Sequence, residues 1–272
     1  MEDQYLILDL LPGRRYLAKE MSANPVLPVL GQMPPPGANS LRRTSPVPVP
    51  AAHQALQLYY DALFRAHGSQ HWWPGRTRFE VIVGAILTQN TSWTNVELAI
   101  HKLRQHKLLS PTAMARVSPA RLARFIRSSG YFRQKSRKLK AFVRFLGDVH
   151  HGSLTKMFRT PTATLREQLL SVHGIGPETA DSILLYAGKH PVFVVDAYTR
   201  RILERHHLAH GKESYDEIRV LFEGSLPSNP AIFNEFHALI VHTAKHFCRA
   251  RAPLCETCAL QPFLPPASEA TP

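Results

Sequence analysis

The sequence predicts an all-α protein. From His53 onward, apolar residues recur at the three- and four-residue spacing that places them on one face of a helix. No segment alternates convincingly between apolar and polar residues, as a half-buried strand does, and no internal repeat is evident. With 272 residues, 44% of them hydrophobic, the chain can bury a good core as one elongated domain or, as we expect, as two helical lobes.

The apolar stripes locate individual helices. Residues Phe79 to Leu87 are apolar nearly all round, which predicts a buried central helix. Three further stripes each predict a helix with one face in the core. They are formed by Val96, Ala99, Ile100 and Leu103, by Leu139, Phe142, Val143, Leu146 and Val149, and by Ile232, Phe233, Phe236, Leu239 and Ile240.

Composition divides the chain into four segments. Residues 1–52 hold nine of the 22 prolines, so we expect a flexible tail or a misassigned start, with at most a short element at Tyr5 to Leu11. Residues 53–247 form the predicted helical domain, residues 248–264 a cysteine-containing loop, and residues 265–272 a second tail.

The charge indicates a polyanionic partner. Lys and Arg number 33 against 20 Asp and Glu, a formal net charge of +13, and the first 52 residues contribute five basic and four acidic residues. Nearly all of the excess therefore belongs to the folded part and suits nucleic acid, although a non-enzymatic RNA-binding protein would look similar. No apolar run is long enough to span a bilayer, and the N-terminus lacks the basic-then-apolar order of a signal peptide. We therefore expect a cytoplasmic protein, nucleoid-associated if bacterial. We also expect a monomer.

A glycine-punctuated helical hairpin lies in the sequence LLSVHGIGPETADSILLY. Gly174 and Gly176 permit a tight turn, and Pro177 can open the following helix as its first residue. The turn should leave the amides of both glycines and of the next helix start unpaired, which forms a socket for one phosphate. An ordinary connection between two helices is the alternative.

A single aspartate, Asp196, follows the apolar run VFVV, spaced so that it could return to the mouth of the hairpin. Hairpin and aspartate together resemble the helix-hairpin-helix and Gly/Pro…Asp signature of the endonuclease III superfamily of DNA glycosylases, over roughly residues 56–264. The resemblance implies double-stranded DNA containing a damaged base as the partner. It also implies DNA contacts from the hairpin positions, which are His173, Gly174, Gly176 and Thr179.

In that superfamily the matching aspartate is catalytic. Breaking an N-glycosidic bond develops positive charge on the sugar, which a fixed carboxylate stabilises while it orients the attacking water. Asp196 also precedes AYTRRILERH, where aspartate is a preferred N-cap. The two roles are compatible, because capping would fix the orientation of the carboxylate.

Two more segments resemble parts of these glycosylases that handle an extruded base. ILTQNT places Gln89 where the family has a glutamine that fills the gap in the duplex, and SGYFRQK places Tyr131 at the wedge position of the intercalating loop. The alternatives are a helix-terminal hydrogen bonder for Gln89 and an ordinary surface aromatic for Tyr131.

One hairpin position departs from the superfamily. Members that also cut the strand carry a lysine two positions after the second hairpin glycine, and this chain has Glu178 there. A carboxylate cannot form a Schiff base, so we expect no lyase activity unless another lysine substitutes. Glu178 could act in the pocket, or simply be a solvent-facing acid in the first turn of a helix.

The tryptophans point to a substrate class. The sequence HWWPGRTRFE, with Trp93 following TQNT, resembles the 3-methyladenine glycosylase branch, in which Trp72, Trp73, Pro74 and Trp93 would form the base pocket. Electron-rich aromatic faces favour an electron-poor alkylated purine. Tryptophans beside a proline are also common core residues.

The cysteines resemble the iron–sulfur loop of endonuclease III. Cys248, Cys255 and Cys258 have the spacing of the first three cluster ligands, but the fourth position is Leu264. The resemblance implies a [4Fe-4S] cluster with an incomplete ligand set. A three-iron cluster, zinc, or a relic without metal are alternatives, and His242 and His246 are the nearest spare donors.

We therefore expect a DNA glycosylase of base excision repair that releases an alkylated purine without lyase activity. An endonuclease III-like enzyme for oxidised pyrimidines or mismatched bases is one alternative. A catalytically silent DNA-binding relative is the other.

Overall fold

The computed structural model describes residues 49–72 and 75–265, and this part of the chain contains helices and no strand. The predicted all-α fold is confirmed. The α-helices are α1 (Val49–His67), α2 (Arg78–Leu87), α3 (Trp93–Gln105), α4 (Pro111–Arg116), α5 (Pro119–Phe125), α6 (Phe132–His150), α7 (Leu154–Met157), α8 (Thr162–Leu170), α9 (Pro177–Ser182), α10 (Ala197–Arg205), α11 (Tyr215–Ser225) and α12 (Pro230–His246). A π-helical turn, Ile183–Gly188, continues α9, and short 3₁₀ turns lie at Arg127–Ser129, Cys255–Thr257 and Gln261–Phe263.

The helices form two lobes, and the described part of the chain enters the second lobe twice. Helices α2 to α9 pack on one another, with α6 crossing α2, α4, α5 and α7. Helix α1 packs instead on α11 and α12, and α10 packs on α12, so the second lobe combines the first described helix with the last three. The π-helical turn joins the lobes, because it contacts both α2 and α12.

Helix α2 is the predicted central helix. Thr77 caps its start by accepting a hydrogen bond from the amide of Glu80 at 3.1 Å, and every residue from Phe79 to Leu87 is buried. Glu80 forms an ion pair with Arg104 of α3 at 2.8 Å, which compensates for its burial. Because α2 is buried and ends at Leu87, the core holds the backbone that precedes Gln89 in place.

The predicted stripes on α3 and α6 face the core, with one correction. Val149 is 47% exposed, whereas Leu139 and Leu146 of the same stripe are buried. Successive helical residues turn by about 100°, so Val149 falls at the edge of the stripe and His150 continues its centre. His150 is accordingly buried.

The first helix begins before the predicted boundary of the tail. Helix α1 starts at Val49, four residues ahead of His53, because Pro50 lies in the first turn, where its missing amide removes no hydrogen bond. The predicted short element at Tyr5 to Leu11 and most of the second tail, residues 266–272, lie outside the described residues.

Candidate active site

The hairpin between α8 and α9 has free amides, as the sequence predicts. Gly174 has φ +82°, a conformation that favours glycine, and Pro177 is the first residue of α9. Within the described chain, the amides of Gly174, Gly176 and Glu178 donate to no protein acceptor. Since two of these amides lie at the start of a helix, the turn can bind an anion such as a phosphate.

The backbone conformation of Gly176 does not require glycine, contrary to the expectation for a tight turn. Its φ of −94° and ψ of 179° are extended backbone that any residue adopts, so the turn does not depend on its conformational freedom. A Cβ at this position would meet no atom within 4 Å, and residue 176 is exposed. Glycine there leaves room for a ligand to approach the backbone closely.

Asp196 caps helix α10. Its Oδ1 accepts hydrogen bonds from the Thr199 amide at 2.8 Å and from the Thr199 hydroxyl at 2.9 Å, and the residue is 7% exposed. Its Oδ2 lies 3.4 Å from Nε2 of His237, a contact longer than a normal hydrogen bond. The capping interaction fixes one oxygen of the carboxylate and leaves the other toward His237.

The carboxylate of Asp196 is held in its charged form. Burial alone would raise its pKa, but His237 and the two hydrogen bonds from Thr199 favour the anion, and the pKa is lowered. A buried anion with defined orientation is suited to stabilising a developing positive charge.

Side chains of α11 position the extended segment that leads to Asp196. The amide of Phe193 donates to Oε1 of Glu223 at 2.9 Å, and the amide of Val195 donates to the hydroxyl of Tyr215 at 3.3 Å. Behind the hairpin, Arg166 of α8 binds the fully buried Asp181 of α9 through two hydrogen bonds of 2.7 and 3.1 Å. These contacts fix the hairpin and the aspartate segment relative to the core.

Glu178 lies in the first turn of α9, and solvent reaches more than a third of its surface. Protein atoms around the carboxyl raise its pKa to about 8, and the charge of Asp196 acts in the same direction. Solvent screens both effects in part, and the shift is upward in either case. The two carboxyl groups therefore differ, since the pKa of Asp196 is lowered and the pKa of Glu178 is raised.

His237 and Tyr186 belong to the site and were missed by the sequence analysis. The hydroxyl of Tyr186 and Nδ1 of His237 are hydrogen-bonded at 2.8 Å, and both side chains are buried. Burial, followed by the charges of Asp196 and Glu178, raises the pKa of Tyr186, so its hydroxyl stays neutral. A signal was present, because His237 is a polar residue within the apolar stripe of α12.

The tryptophans occupy two different environments. Trp72 is half-buried, its ring lies edge-on to His237 at a centroid distance of 6.2 Å, and its indole approaches the Tyr186 hydroxyl. Trp93 is 3% exposed and belongs to the core, so in this conformation neither of its faces is open for stacking. Trp73 and Pro74 lie outside the described residues.

Gln89 is bound to the hairpin. Its amide nitrogen donates to the carbonyl of Gly174 at 3.1 Å and to the hydroxyl of Thr179 at 2.8 Å. The Thr179 side chain is buried and holds Gln89, and the DNA contact expected at residue 179 stays a prediction. To enter a duplex, Gln89 would exchange these partners.

Tyr131 is the most exposed large hydrophobic residue described, at 64%. It follows Gly130, both residues have positive φ, and Tyr131 precedes the first residue of α6. A non-glycine residue in this conformation is strained, which is common at functional positions. His173 of the hairpin is also exposed.

A separate groove of about 380 Å³ contains none of the predicted site residues. It lies between α1 and the end of α10 and is lined mainly by apolar groups, among them Leu58, Tyr59 and Phe263. The positions of the predicted side chains, and not this groove, therefore define the candidate site.

Comparison with known families identifies the protein. A model described as the HhH-GPD superfamily base excision DNA repair protein matches residues 83–228, more than half of the chain. The chain belongs to this superfamily of DNA repair glycosylases. The predicted resemblance is confirmed, and the matched region includes the hairpin, Gln89, Tyr131 and Asp196.

Individual members of the superfamily are similar over most of the chain. A protein of Methanocaldococcus jannaschii described as a candidate DNA repair glycosylase is 46% identical over 75% of this chain and 93% of its own. Helicobacter pylori 3-methyladenine DNA glycosylase, solved with 1,N6-ethenoadenine, is 29% identical with a TM-score of 0.61, covering 71% of this chain and 97% of its own. A non-covalent endonuclease III–DNA complex has the same fold, with a TM-score of 0.68 at 22% identity over 78% of this chain and 94% of its own.

The three cysteines line one small cavity between α10, α12 and the C-terminal loop, together with Leu264. Nη1 of Arg205 in α10 donates a hydrogen bond to Sγ of Cys248 at 3.2 Å. Three thiols on one cavity fit three of the four ligands that a cluster requires.

Across residues 49–72 and 75–265, no group of three or more His, Cys, Asp or Glu side chains is placed to hold a metal ion. The predicted spare donors, His242 and His246, do not line the cysteine cavity; their rings lie 4.5 Å apart, beside His67. His206 lines the cavity instead.

None of the described helices combines the length and the hydropathy that a membrane span requires.

Proposed function

We propose that the protein is a monofunctional DNA glycosylase that hydrolyses the N-glycosidic bond of an alkylated purine. The observation that carries the proposal is the buried carboxylate of Asp196, which caps α10 and lies near enough to Glu178 of the hairpin for its charge to raise the pKa of Glu178. Environments that push two neighbouring pKa values apart are the usual arrangement of acid and base in an active site.

Asp196 supplies the electrostatic stabilisation. As the bond between C1′ and the base nitrogen breaks, the sugar becomes cationic, and the carboxylate lowers the energy of that state. Water then bonds to C1′ and its proton passes to the Asp196 carboxylate, and the products are the free base and an abasic site. Thr199 keeps the carboxylate in place throughout, because its two hydrogen bonds do not involve the substrate.

Glu178 supplies a proton to the departing base. A neutral lesion would leave as an anion unless it gains that proton, whereas a cationic alkylated purine leaves as a neutral molecule without it. The requirement for Glu178 should therefore depend on the lesion, which makes the role testable.

The absence of an amine at position 178 supports hydrolysis without strand cutting. A lyase step needs a primary amine that forms a Schiff base with the sugar, and a carboxyl group cannot do so. Lys138 lies close to the hairpin, but its ammonium is bonded to Gln89.

The substrate class rests on Trp72, which is half-buried and lies edge-on to His237. Electron-rich rings bind an electron-poor purine better than a normal base. The similar Helicobacter pylori enzyme is a 3-methyladenine glycosylase. The alternative, an enzyme for oxidised pyrimidines, is supported by 29% identity to Thermotoga maritima endonuclease III over 67% of this chain and 80% of its own.

Double-stranded DNA is the proposed partner, bound by a monomer. The hairpin amides and His173 would contact one phosphate, Gln89 would fill the gap left by the base, and Tyr131 would wedge between neighbouring bases. The exposure of Tyr131 and the position of Gln89 on the hairpin support these roles.

A [4Fe-4S] cluster is the proposed cofactor, held by Cys248, Cys255 and Cys258, with no protein thiolate at Leu264. Bound there, it would fold the loop and present Arg249 and Arg251 to DNA. The catalytic residues do not depend on its chemistry.

Free-base release from a panel of duplexes tests the proposal, with Asp196→Asn as the inactive control. The panel carries 3-methyladenine, 1,N6-ethenoadenine, an oxidised pyrimidine and a G·T mismatch. We expect the alkylated purines to be released fastest. Release of the oxidised pyrimidine alone would establish the endonuclease III-like alternative, and release of no base would establish a silent DNA-binding protein.

A further inference from the structure

Helix α6 carries a buried lysine between the segments that hold Gln89 and Tyr131. Lys135 is 2% exposed, and its ammonium donates to the main-chain carbonyls of Leu87, at 2.9 Å, and Ser129, at 2.5 Å. Leu87 ends α2 and Ser129 ends a 3₁₀ turn, so both carbonyls lack a partner within their own helical segment. One ammonium therefore connects two segments. They are the turn that follows α2, residues 88–90 (the Gln89 turn), and the segment that precedes α6, residues 129–131 (the Tyr131 loop).

A second lysine, one turn further along α6, connects the Gln89 turn to the hairpin. The ammonium of Lys138 donates to Oε1 of Gln89 at 2.5 Å, while Gln89 donates to Gly174 and Thr179. The aliphatic stem of Lys138 covers Gly174 so closely that a Cβ on residue 174 would lie 2.5 Å from its Cγ. Lys138 occupies the space that a side chain at position 174 would need.

A fully buried lysine is unfavourable unless its charge has partners. Burial lowers the pKa of Lys135 to about 8, and the charge of Lys138 acts in the same direction. An apolar side chain of similar length would avoid this desolvation but would leave the two carbonyls unpaired. A cation is favoured at the ends of helices, where the carbonyls point outward.

We propose that Lys135 and Lys138 are positioning residues that hold the Gln89 turn, the Tyr131 loop and the hairpin at fixed spacing before DNA binds. This inference rests on the proposed function, in which Gln89 and Tyr131 act on the duplex. Elements fixed in advance do not have to be ordered when DNA binds, so more of the binding free energy goes to extruding the base.

The same helix offers a matched control. Lys140 donates to the carbonyls of Met114, Ala115 and Val117 near the end of α4, so it makes the same kind of contact away from the three DNA-facing elements. Lys140→Met removes a lysine that binds helix-end carbonyls, and any general loss of stability should be common to all three methionine variants.

Base extrusion is measured directly by the fluorescence of 2-aminopurine placed next to a lesion, with saturating protein at a temperature where every variant is folded. We expect Lys135→Met and Lys138→Met to reduce the extrusion signal and the single-turnover rate of base release by about 10- to 100-fold. Lys140→Met should change both by less than about twofold. Lys138→Arg, which keeps a cationic donor, should recover part of the signal.

A double-mutant cycle identifies the route by which Lys138 acts. If Lys138 acts through Gln89, the effects of Lys138→Met and Gln89→Ala will not add. Folded Lys135→Met and Lys138→Met variants that extrude the base as wild type does, or that lose no more than Lys140→Met, would overturn the inference. Wild-type protein that extrudes none of the lesions would overturn the proposed function as well.

Discussion

Asp196 combines a structural and a proposed catalytic role at one position. Its Oδ1 caps α10 through Thr199, and its Oδ2 lies toward His237. Capping gives the carboxylate an orientation that does not depend on substrate, as a preorganised electrostatic site requires. A substitution that removes the charge of residue 196 but keeps its shape distinguishes the two roles.

Asp196→Asn should abolish turnover while DNA affinity stays near or above that of wild type. The substitution keeps an oxygen that can cap α10 but removes the negative charge, which helps only as the sugar becomes cationic and otherwise repels phosphates. Single-turnover base release and equilibrium binding of the same duplex measure the two effects. Substantial residual activity would refute the mechanism, and a collapsed melting temperature would mean that capping dominates.

Glu178 should create an alkaline limb in the pH–rate profile for neutral lesions. Its pKa is raised to about 8, so the proton that it donates is present below that pH and is lost as the pH rises through it. Glu178→Gln should lower the rate on ethenoadenine by about 10²- to 10⁴-fold and leave a cationic alkylpurine largely unaffected. Equal loss on both lesions would instead indicate a structural role for Glu178.

Trp72 and Trp93 should respond differently to alanine substitution. Trp72→Ala should cost about 1–3 kcal/mol of stacking, measured as single-turnover rate over affinity, with a larger loss for a cationic lesion. Trp93 is buried, so Trp93→Ala should lower the melting temperature and affect all lesions alike. If Trp93→Ala instead affects the cationic lesion selectively and leaves stability unchanged, Trp93 stacks on the base after a rearrangement.

At the scale of elements, α10 links the candidate active site to the cysteine loop. Asp196 caps its first turn, and in its later turns Arg201 donates to the carbonyls of Ala244 and Cys248 while Arg205 binds the carbonyls of Arg249 and Ala250. These contacts position the start of the loop without any metal. We therefore expect leucine at position 264 to weaken the proposed cluster site before it affects the fold.

Leu264→Cys tests the incomplete cysteine set. We expect anaerobically purified wild-type protein to show broad brown absorbance and to lose iron faster than the variant, because one iron of the wild-type cluster lacks a protein thiolate. Absorbance and iron content over time measure the loss. Protein that stays colourless and free of iron after anaerobic reconstitution would identify the loop as a relic.

Local sequence patterns predicted the helices and the hairpin, whereas the partners of the site residues depend on contacts between distant segments. The hairpin, the central helix α2 and the position of Asp196 follow from residues close together in sequence, so they could be predicted. The partners of the aspartate could not, because His237 lies 41 residues away on another helix and reaches the site only through the packing of α12. Trp93 was ambiguous for the same reason, since a tryptophan fits a core and a stacking platform equally well.

At the scale of the whole molecule, the same limit applies to the lobes. The apolar stripes predict helices but not that α1 packs with the last three helices, because that arrangement depends on contacts between distant segments. It places Asp196, at the start of α10 in the second lobe, close enough to Glu178 of the first lobe for its charge to raise the pKa of Glu178. The candidate site thus lies where the two lobes meet, and both are needed to assemble it.

The most direct test of a glycosylase without lyase activity is the state of the DNA strand after base release. A duplex with one alkylated purine is incubated with enzyme, and half of the product is treated with alkali before strand lengths are measured. Because position 178 carries a carboxyl group, we expect strands that stay intact until alkali is added, and no covalent adduct with borohydride. Strand breaks without alkali, together with efficient borohydride trapping, would contradict the account.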